Sequence, residues 1–189
     1  MNPYDIVRPL LFTLDAEQAH HLTFALLDQP LTHPVLRWAA GPPVDDPVDF
    51  IGLKLRNRVG LAAGLDKNGR CIDGLGAMGF GFIEVGTVTP VGQSGNPRPR
   101  IFRIERRQAL INRLGFNNLG LDAVVDNVRR SGYQGVLGIN IGKNGATPNE
   151  QAIDDYRLCM DRVHSIASYI TVRSEEHTSE LQSRVDISY

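Results

Sequence analysis

The sequence predicts an α/β fold of repeated strand–helix units behind a small helical module. Apolar side chains recur at helical spacing over the first forty residues, whereas later apolar runs are short and begin or end in glycine. Helical stretches separate those runs, and strand–helix–strand repetition implies parallel strands with right-handed crossovers. Four such units suit either an open doubly wound sheet or the first half of a (β/α)₈ TIM barrel.

Composition excludes several classes of partner. Of the 189 residues, 42% are hydrophobic and 22% are charged, as in an ordinary globular protein. The net charge of −1 predicts no nucleic-acid surface, and no apolar run approaches the roughly 20 residues of a membrane-spanning helix. Cys71 and Cys159 are far apart in the sequence and outside any CxxC pair. We therefore expect free thiols in a reducing compartment and no metal site.

Residues 1–40 are predicted to form a helical module. Apolar residues at helical spacing give a first helix, and Asp15 followed by Gln18 is a capping-box pattern that begins a second. Pro30 ends the second helix, and a third short helix precedes the linker. The linker is placed at 41–48, where glycine and proline are frequent.

Residues 49–172 are predicted to form the strand–helix part. Phe50–Leu55 is expected to be a short strand or half of a hairpin. The parallel strands are expected at Val59–Ala63, Phe82–Thr87, Val136–Ile141 and Tyr169–Val172. The helices between them are expected at about 70–78, 120–131 and 149–166, and an inserted hairpin at Arg100–Ile104 and Gln108–Ile111.

The segment AGLDK (63–67) follows the first parallel strand, at the sheet edge where such folds place their chemistry. Ala63 and Gly64 have almost no side chain, so a flat ring could lie against the backbone. Lys67 would place a cation beside it, which suits a reduced flavin or a substrate carboxylate. Taken alone, a glycine turn with a surface lysine explains the segment better. It is not a G-x-G-x-x-G phosphate loop.

Three further segments carry polar side chains near strand ends. Thr87 in GTVTP could bond a flavin ring atom, although a threonine is also common in strands without a ligand. The amides of INRLGFNN (111–118) could bind a pyrimidinedione edge, or could simply form an Asx-rich loop. In NIGKN (140–144), Asn140 would point into the site, while Lys143 could be only solvent-facing.

Together, and in this order, the segments resemble class 2 dihydroorotate dehydrogenases, the quinone-reducing type. The resemblance covers about residues 3–172 and includes GLAAGLDKNG, GFGFIEVGTVTP, PRIFR, INRLGFNN, GVLGINIGKN and DDY. It implies the first half of a (β/α)₈ barrel that binds FMN, behind a helical module that forms a quinone tunnel. It also implies oxidation of dihydroorotate to orotate in pyrimidine (UMP) biosynthesis, with ubiquinone or another quinone as acceptor.

The resemblance assigns residues to three sets of contacts. His20 and Arg103 match positions near the quinone head group, although His20 could be an ordinary helix-surface histidine. The resemblance further implies that the helical module binds the membrane surface, on the cytoplasmic face of the inner membrane. The FMN contacts would be Ala63, Gly64, Leu65, Asp66, Lys67, Thr87 and Asn140. The dihydroorotate contacts would be Lys67, Asn112, Arg113, Leu114, Gly115 and Phe116.

The chain departs from the family after Val172. The family continues with a block like N-x-S-S-P-N-T, which holds the serine base, whereas residues 173–189 read RSEEHTSELQSRVDISY. A common sequencing-library adapter, translated in frame, encodes the first eleven of these residues and, after its index, the last three. We therefore expect 173–189 to be non-native, the catalytic serine to be absent and the chain to be an incomplete, inactive fragment. Genomic DNA that encodes 173–189 would contradict this.

Two other functions remain open at this point. A soluble class 1 dihydroorotate dehydrogenase is one, but the helices predicted over 3–39 argue against it. A non-catalytic half-barrel that binds a ligand or partner is the other. Flavin absorbance of the purified protein would separate it from an enzyme.

Overall fold

A computed structural model describes residues 3–174, with side chains from Ile6 onward. Most of the stretch interpreted as adapter read-through, residues 175–189, lies outside this range. Across the described residues, no helix combines the length and apolar character needed to cross a membrane.

The helical module contains the three predicted helices. Asp15 caps the second one, because its Oδ1 accepts from the backbone N–H groups of Glu17 and Gln18 at 2.9 and 3.3 Å. This confirms the predicted helix start. The helices are α1 (Pro3–Phe12), α2 (Ala16–Leu27) and α3 (His33–Ala40), with a 3₁₀ turn at Pro30–Thr32.

An antiparallel hairpin follows the linker, with strands β1 (Val48–Phe50) and β2 (Leu53–Leu55). The prediction of one strand over Phe50–Leu55 is therefore wrong, and the hairpin alternative is confirmed. Ile51 and Gly52 form the turn, with φ values of 52° and 77°. An isoleucine at positive φ is uncommon, so residue type concealed this turn.

Four parallel strands form the main sheet, in the spatial order β10-β9-β4-β3. Each new strand is added on the same side, as in a barrel, whereas a doubly wound sheet reverses direction. The sheet is open, as expected for half of a (β/α)₈ barrel. Its strands are β3 (Gly60–Leu61), β4 (Phe82–Val88), β9 (Val136–Ile141) and β10 (Tyr169–Val172). Its helices are α4 (Ile72–Gly76), α5 (Leu121–Arg130) and α6 (Ala152–Val163).

The core lies between this sheet and its helices. Ile83 and Val85 of β4 pair in register with Leu137 and Ile139 of β9, so their apolar side chains lie side by side. Cys159 is buried in the same cluster, and it and Cys71 are free thiols, as expected. Because strand side chains alternate between faces, Glu84 of β4 belongs to the opposite, interior face.

An excursion of four short strands joins β4 to α5. Its second and third strands form the predicted hairpin, whereas the pairing of its first and last strands was not predicted. The strands are β5 (Val91–Gln93), β6 (Ile101–Ile104), β7 (Ala109–Asn112) and β8 (Asn118–Gly120), paired β5–β8 and β6–β7. The excursion begins at the carboxyl end of β4, so it brings its loops to the edge where the site was predicted.

Candidate functional site

The loop after β3 is held against the end of β4 by two backbone hydrogen bonds. Gly64 N–H donates to the Gly86 carbonyl at 2.8 Å, and Gly86 N–H donates to the Asp66 carbonyl at 3.0 Å. Both glycines have positive φ, 105° and 110°. A Cβ at Gly86 would lie 2.4 Å from the Asn140 carbonyl oxygen, whereas one at Gly64 would meet no atom within 4 Å. Gly64 thus presents bare backbone to open space.

Asp66 organises this loop from within. Its buried carboxylate accepts from the backbone N–H groups of Asn68, Arg70 and Cys71 at 3.3, 3.0 and 2.7 Å. Burial raises the pKa of Asp66, and the same hydrogen bonds oppose that rise. The carboxylate therefore holds the turn that carries its neighbour Lys67.

Lys67 is a partly buried cation beside an amide-rich loop. Its Nζ donates to Asn117 Oδ1 at 3.2 Å. Burial, followed by the charge of Arg100, lowers the pKa of Lys67 to about 8, while Glu17 opposes this. No salt bridge to Lys67 forms among residues 3–174. The lysine is still mostly protonated at neutral pH, so its charge can pair with an anion.

Thr87 and Asn140 belong to one hydrogen-bond network on the barrel interior. Thr87 Oγ1 donates to Asn140 Oδ1 at 2.8 Å, and Asn140 Nδ2 donates to Glu84 Oε1 at 2.9 Å. The other oxygen of Glu84 accepts from Tyr169 and Thr171 of β10, at 3.0 and 3.1 Å. Because an ionised carboxylate only accepts hydrogen bonds, Glu84 sets the orientation of the Asn140 amide.

Glu84 was missed by the sequence reasoning. The signal was an acidic residue inside an otherwise apolar strand, FIEVG (82–86), whose interior position requires partners.

Burial, followed by the nearby charge of Glu84, raises the pKa of Tyr169, so this phenol stays neutral.

The amide-rich loop, residues 112–118, meets the loop after β3 at Lys67. Gln93 Nε2 donates to the carbonyls of Gly115 and Phe116 at 3.1 and 3.3 Å, which holds the loop next to β5. Phe116 has φ of 50°, and the Arg173 guanidinium lies 4.5 Å from its ring centroid.

The predicted substrate residues of this loop fall into two groups. Leu114, Gly115 and Phe116 are partly buried, whereas Asn112 and Arg113 are exposed. Arg113 donates to the Pro99 carbonyl at 3.1 Å. Asn117, which bonds Lys67, was not among the predicted contacts, although it lies in the same motif.

NIGKN joins the end of β9 to the excursion. The expectation that Lys143 faces solvent is wrong, because this residue is 9% exposed and its Nζ donates to the Thr147 carbonyl at 2.9 Å. Asn144 Nδ2 donates to Thr89 Oγ1 at 3.2 Å and to the Val91 carbonyl at 2.7 Å. These contacts are structural and fix the excursion above the sheet.

His20 lies on α2 of the helical module, whereas Arg103 of β6 joins the excursion to that module. The His20 ring is 4.2 Å from the Phe24 ring, and burial, then the charges of His21 and Lys67, lower the pKa of His20. Arg103 donates to the Leu14 carbonyl at 2.7 Å, and its guanidinium lies 4.6 Å from the Phe12 ring centroid. Arg103 therefore stabilises the turn between α1 and α2.

Comparison with known proteins identifies the family to which the chain is similar. A family model for dihydroorotate dehydrogenase matches residues 47–174. A curated dihydroorotate dehydrogenase (quinone) from Methylibium petroleiphilum is 60% identical over 96% of this chain and 54% of its own length. One from Chromobacterium violaceum is 56% identical, over 95% of this chain and 52% of its own length. The chain spans about half the length of the curated relatives it matches.

A solved structure supports the fold. The dihydroorotate dehydrogenase of Eimeria tenella in complex with ferulenol is 42% identical, with a TM-score of 0.65, over 82% of this chain and 46% of that one. The family match ends at residue 174, while 96% coverage by the Methylibium relative reaches into 173–189. The adapter origin of those residues therefore stays a prediction. The chain belongs to the dihydroorotate dehydrogenase family, and its described residues form a helical module and an open parallel sheet, as in half of a (β/α)₈ barrel.

Proposed function

We propose that this chain supplies the flavin-facing part of an enzyme that oxidises dihydroorotate to orotate and reduces a quinone, in pyrimidine biosynthesis. One observation carries the proposal. Lys67, a partly buried cation without a salt bridge among the described residues, lies beside the amide-rich loop where the parallel strands end. A buried cation needs a counter-charge, and an anionic ligand meets that need.

The residues at this edge fit FMN. Gly64 leaves bare backbone that a flat ring can approach, and a Cβ there would project into open space. The Thr87 hydroxyl donates a hydrogen bond to Asn140. The lone pairs of the Thr87 oxygen therefore remain free to accept a hydrogen bond from a ring N–H. Other residues of the same loop would also contact the ring, namely Ala63, Leu65 and the Asp66 backbone. The chemistry that FMN supplies when bound is hydride acceptance from the substrate and electron delivery to the quinone.

Dihydroorotate fits the other side of Lys67. It carries a carboxylate, which the Lys67 ammonium can pair with, and a pyrimidinedione edge of alternating donors and acceptors. Residues 112–116 would form hydrogen bonds with that edge, while Asn117 accepts a hydrogen bond from Lys67 and so holds the lysine in place. A carboxylate held by a partly desolvated cation is also positioned for reaction.

Oxidation to orotate removes a proton from C5 and a hydride from C6 of dihydroorotate. Lys67 steadies the negative charge that develops on the substrate and cofactor. The C5 proton needs a base, and we propose that a serine beyond Val172 in the full-length protein takes this role.

Quinone reduction is assigned to the helical module. We propose that His20 and Arg103 border the quinone path, since His20 of α2 interacts with the charge of Lys67 and Arg103 donates to the Leu14 carbonyl of the module. Leu31 and Trp38 are 90% and 74% exposed. An apolar helical surface with an exposed tryptophan suits the membrane interface, on the cytoplasmic face of the inner membrane.

The test uses the full-length protein encoded by the uninterrupted genomic reading frame. Bound flavin is measured by absorbance, and dihydroorotate oxidation with a soluble ubiquinone analogue, fumarate or NAD. We expect flavin and quinone-dependent turnover. Lys67→Ala should lower kcat/KM at least about a hundredfold, whereas Lys54→Ala, at an exposed lysine of β2, should leave it unchanged.

Other results would point elsewhere. Turnover with fumarate or NAD but not quinone would favour the class 1 alternative. A folded protein without flavin would favour the non-catalytic alternative.

A further inference from the structure

We propose that Arg100 is a positioning residue for the amide-rich loop and that Glu17 of the helical module holds it there. This inference rests on the proposed function, because it concerns the loop that would bind dihydroorotate. Arg100 Nη2 donates to Glu17 Oε1 at 2.6 Å. The two side chains are only 5% and 7% exposed. Arg98 adds a contact to Glu17 Oε2 at 3.1 Å.

The same guanidinium holds the loop between β5 and β6. Arg100 Nη1 donates to the carbonyls of Ser94 and Asn96 at 2.6 and 3.1 Å. A buried arginine whose donors are divided between a carboxylate and two carbonyls cannot turn without leaving charge unpaired. Helix α2 therefore sets the position of residues 94–96 through Glu17.

Residues 94–96 lie directly against the amide-rich loop. Asn96 N–H donates to the Leu114 carbonyl at 3.1 Å, and Asn96 Nδ2 donates to the Arg113 carbonyl at 2.9 Å. A Cβ at Gly95, where φ is 71°, would lie 2.2 Å from the Leu114 oxygen, and one at Gly115 would lie 2.8 Å from the Asn96 nitrogen. Backbones this close cannot move independently, so a shift at Arg100 reaches the amide-rich loop, whose Asn117 accepts a hydrogen bond from Lys67.

The charges around Lys67 supply a signature of this arrangement. Arg100 lowers the pKa of Lys67 and Glu17 raises it, while His20 on α2 interacts with the same lysine. Asp66, on the loop of Lys67, directs its carboxylate to backbone N–H groups. Neutralising Glu17 should therefore lower the pKa of Lys67, and neutralising Arg100 should raise it.

The test compares Glu17→Gln and Arg100→Gln in the full-length, flavin-loaded enzyme. In both, we expect the KM for dihydroorotate to rise about tenfold, with a smaller change in kcat, because a displaced loop weakens substrate binding. The pH above which KM begins to rise should move down in Glu17→Gln and up in Arg100→Gln. Asp46→Asn, in an exposed pair with Arg58, should match wild type.

The outcomes separate the inference from the proposed function. A wild-type enzyme that does not oxidise dihydroorotate refutes the proposed function, and the inference with it. Two results with an active wild-type enzyme would overturn the inference alone. One is an unchanged KM in both variants, and the other is a pH of KM rise that moves in the same direction in both. If Arg100→Gln does not fold, the isosteric Glu17→Gln tests the inference by its KM and by the downward shift of the pH above which KM begins to rise.

Discussion

The parallel sheet and the helical module bury their apolar side chains to very different extents. Ile83, Val85 and Ile139 in the sheet are fully buried, whereas Leu10 and Leu22 of the module are exposed. The module meets the rest of the protein through Leu27, which joins the core cluster, and through polar contacts such as Glu17–Arg100. The barrel half is thus held mainly by apolar packing, whereas the module combines a smaller apolar contact at Leu27 with directional polar contacts and leaves other apolar side chains exposed.

The largest effect is expected in the sheet. Ile139→Ala should lower the free energy of unfolding by about 2–5 kcal/mol, because it leaves a cavity in a closely packed core. Ile6→Ala, at a residue of α1 that is 62% exposed, should change it by less than about 0.5 kcal/mol. Urea unfolding of the full-length protein measures both. Equal losses would mean that the module is packed as tightly as the sheet.

The next effect tests the close approach at the end of β4. Gly86→Ala should cost about 1–3 kcal/mol and reduce flavin content, because its Cβ would lie 2.4 Å from the Asn140 carbonyl oxygen. Gly132→Ala is the matched control, since its Cβ would meet only Asp73 Oδ1 at 3.9 Å. Urea midpoints and flavin absorbance distinguish them. A Gly86→Ala enzyme with full stability and flavin would contradict the site geometry.

Lys67 lies between the two regions, and its pKa predicts a pH dependence. The pKa is lowered from 10.5 to about 8, so burial of the charged lysine costs stability below pH 8. That cost is relieved as pH rises from about 8 to 10.5, because the unfolded state then binds more protons. Lys67→Met should therefore be more stable than wild type at pH 7, by a margin that shrinks toward pH 10.

Ligand binding should follow the opposite course. Above the pKa of about 8, the KM for dihydroorotate should rise as Lys67 loses its proton, by up to about tenfold per pH unit. Urea unfolding and steady-state kinetics from pH 7 to 10 test the two trends together. A stability difference between Lys67→Met and wild type that does not change with pH would show that Lys67 does not cause the pH dependence.

The smallest effect is expected at the edge of the module. Asp28→Asn removes the pair with Arg70, whose side chain is 59% exposed, and should cost at most about 1 kcal/mol. The loss should fade in high salt, since exposed charges are screened. Urea midpoints at low and high salt measure it. A large, salt-independent loss would show that this contact, too, is effectively buried.

Much of the architecture could be predicted from local patterns. Asp15 marked the start of α2, and glycine-bounded apolar runs marked the parallel strands, because helix caps and strand burial leave periodic signals. The pairing of β5 with β8 could not be predicted, since strands of three residues have almost no period of their own. The hairpin turn was concealed for a different reason, because its first residue is Ile51, and isoleucine rarely adopts positive φ.

The candidate site divides in the same way. The segments around Lys67, Thr87 and Asn140 could be located because each lies at or just after the carboxyl end of a strand, and parallel strands end at a common edge. The pairing of Glu84 with Asn140 and of Asn117 with Lys67 could not be predicted, because the members of each pair are far apart in the sequence.

The sequence by itself determined the family, the order of the strand–helix units and the segments that carry the polar groups. Tertiary structure alone decided that Lys143 is buried, that Glu84 orients Asn140, and that Glu17 reaches Arg100 across 83 positions. The physical reason is that periodicity and turn chemistry act over a few residues. Burial, pKa and hydrogen-bond partners instead depend on which distant segments the fold brings together.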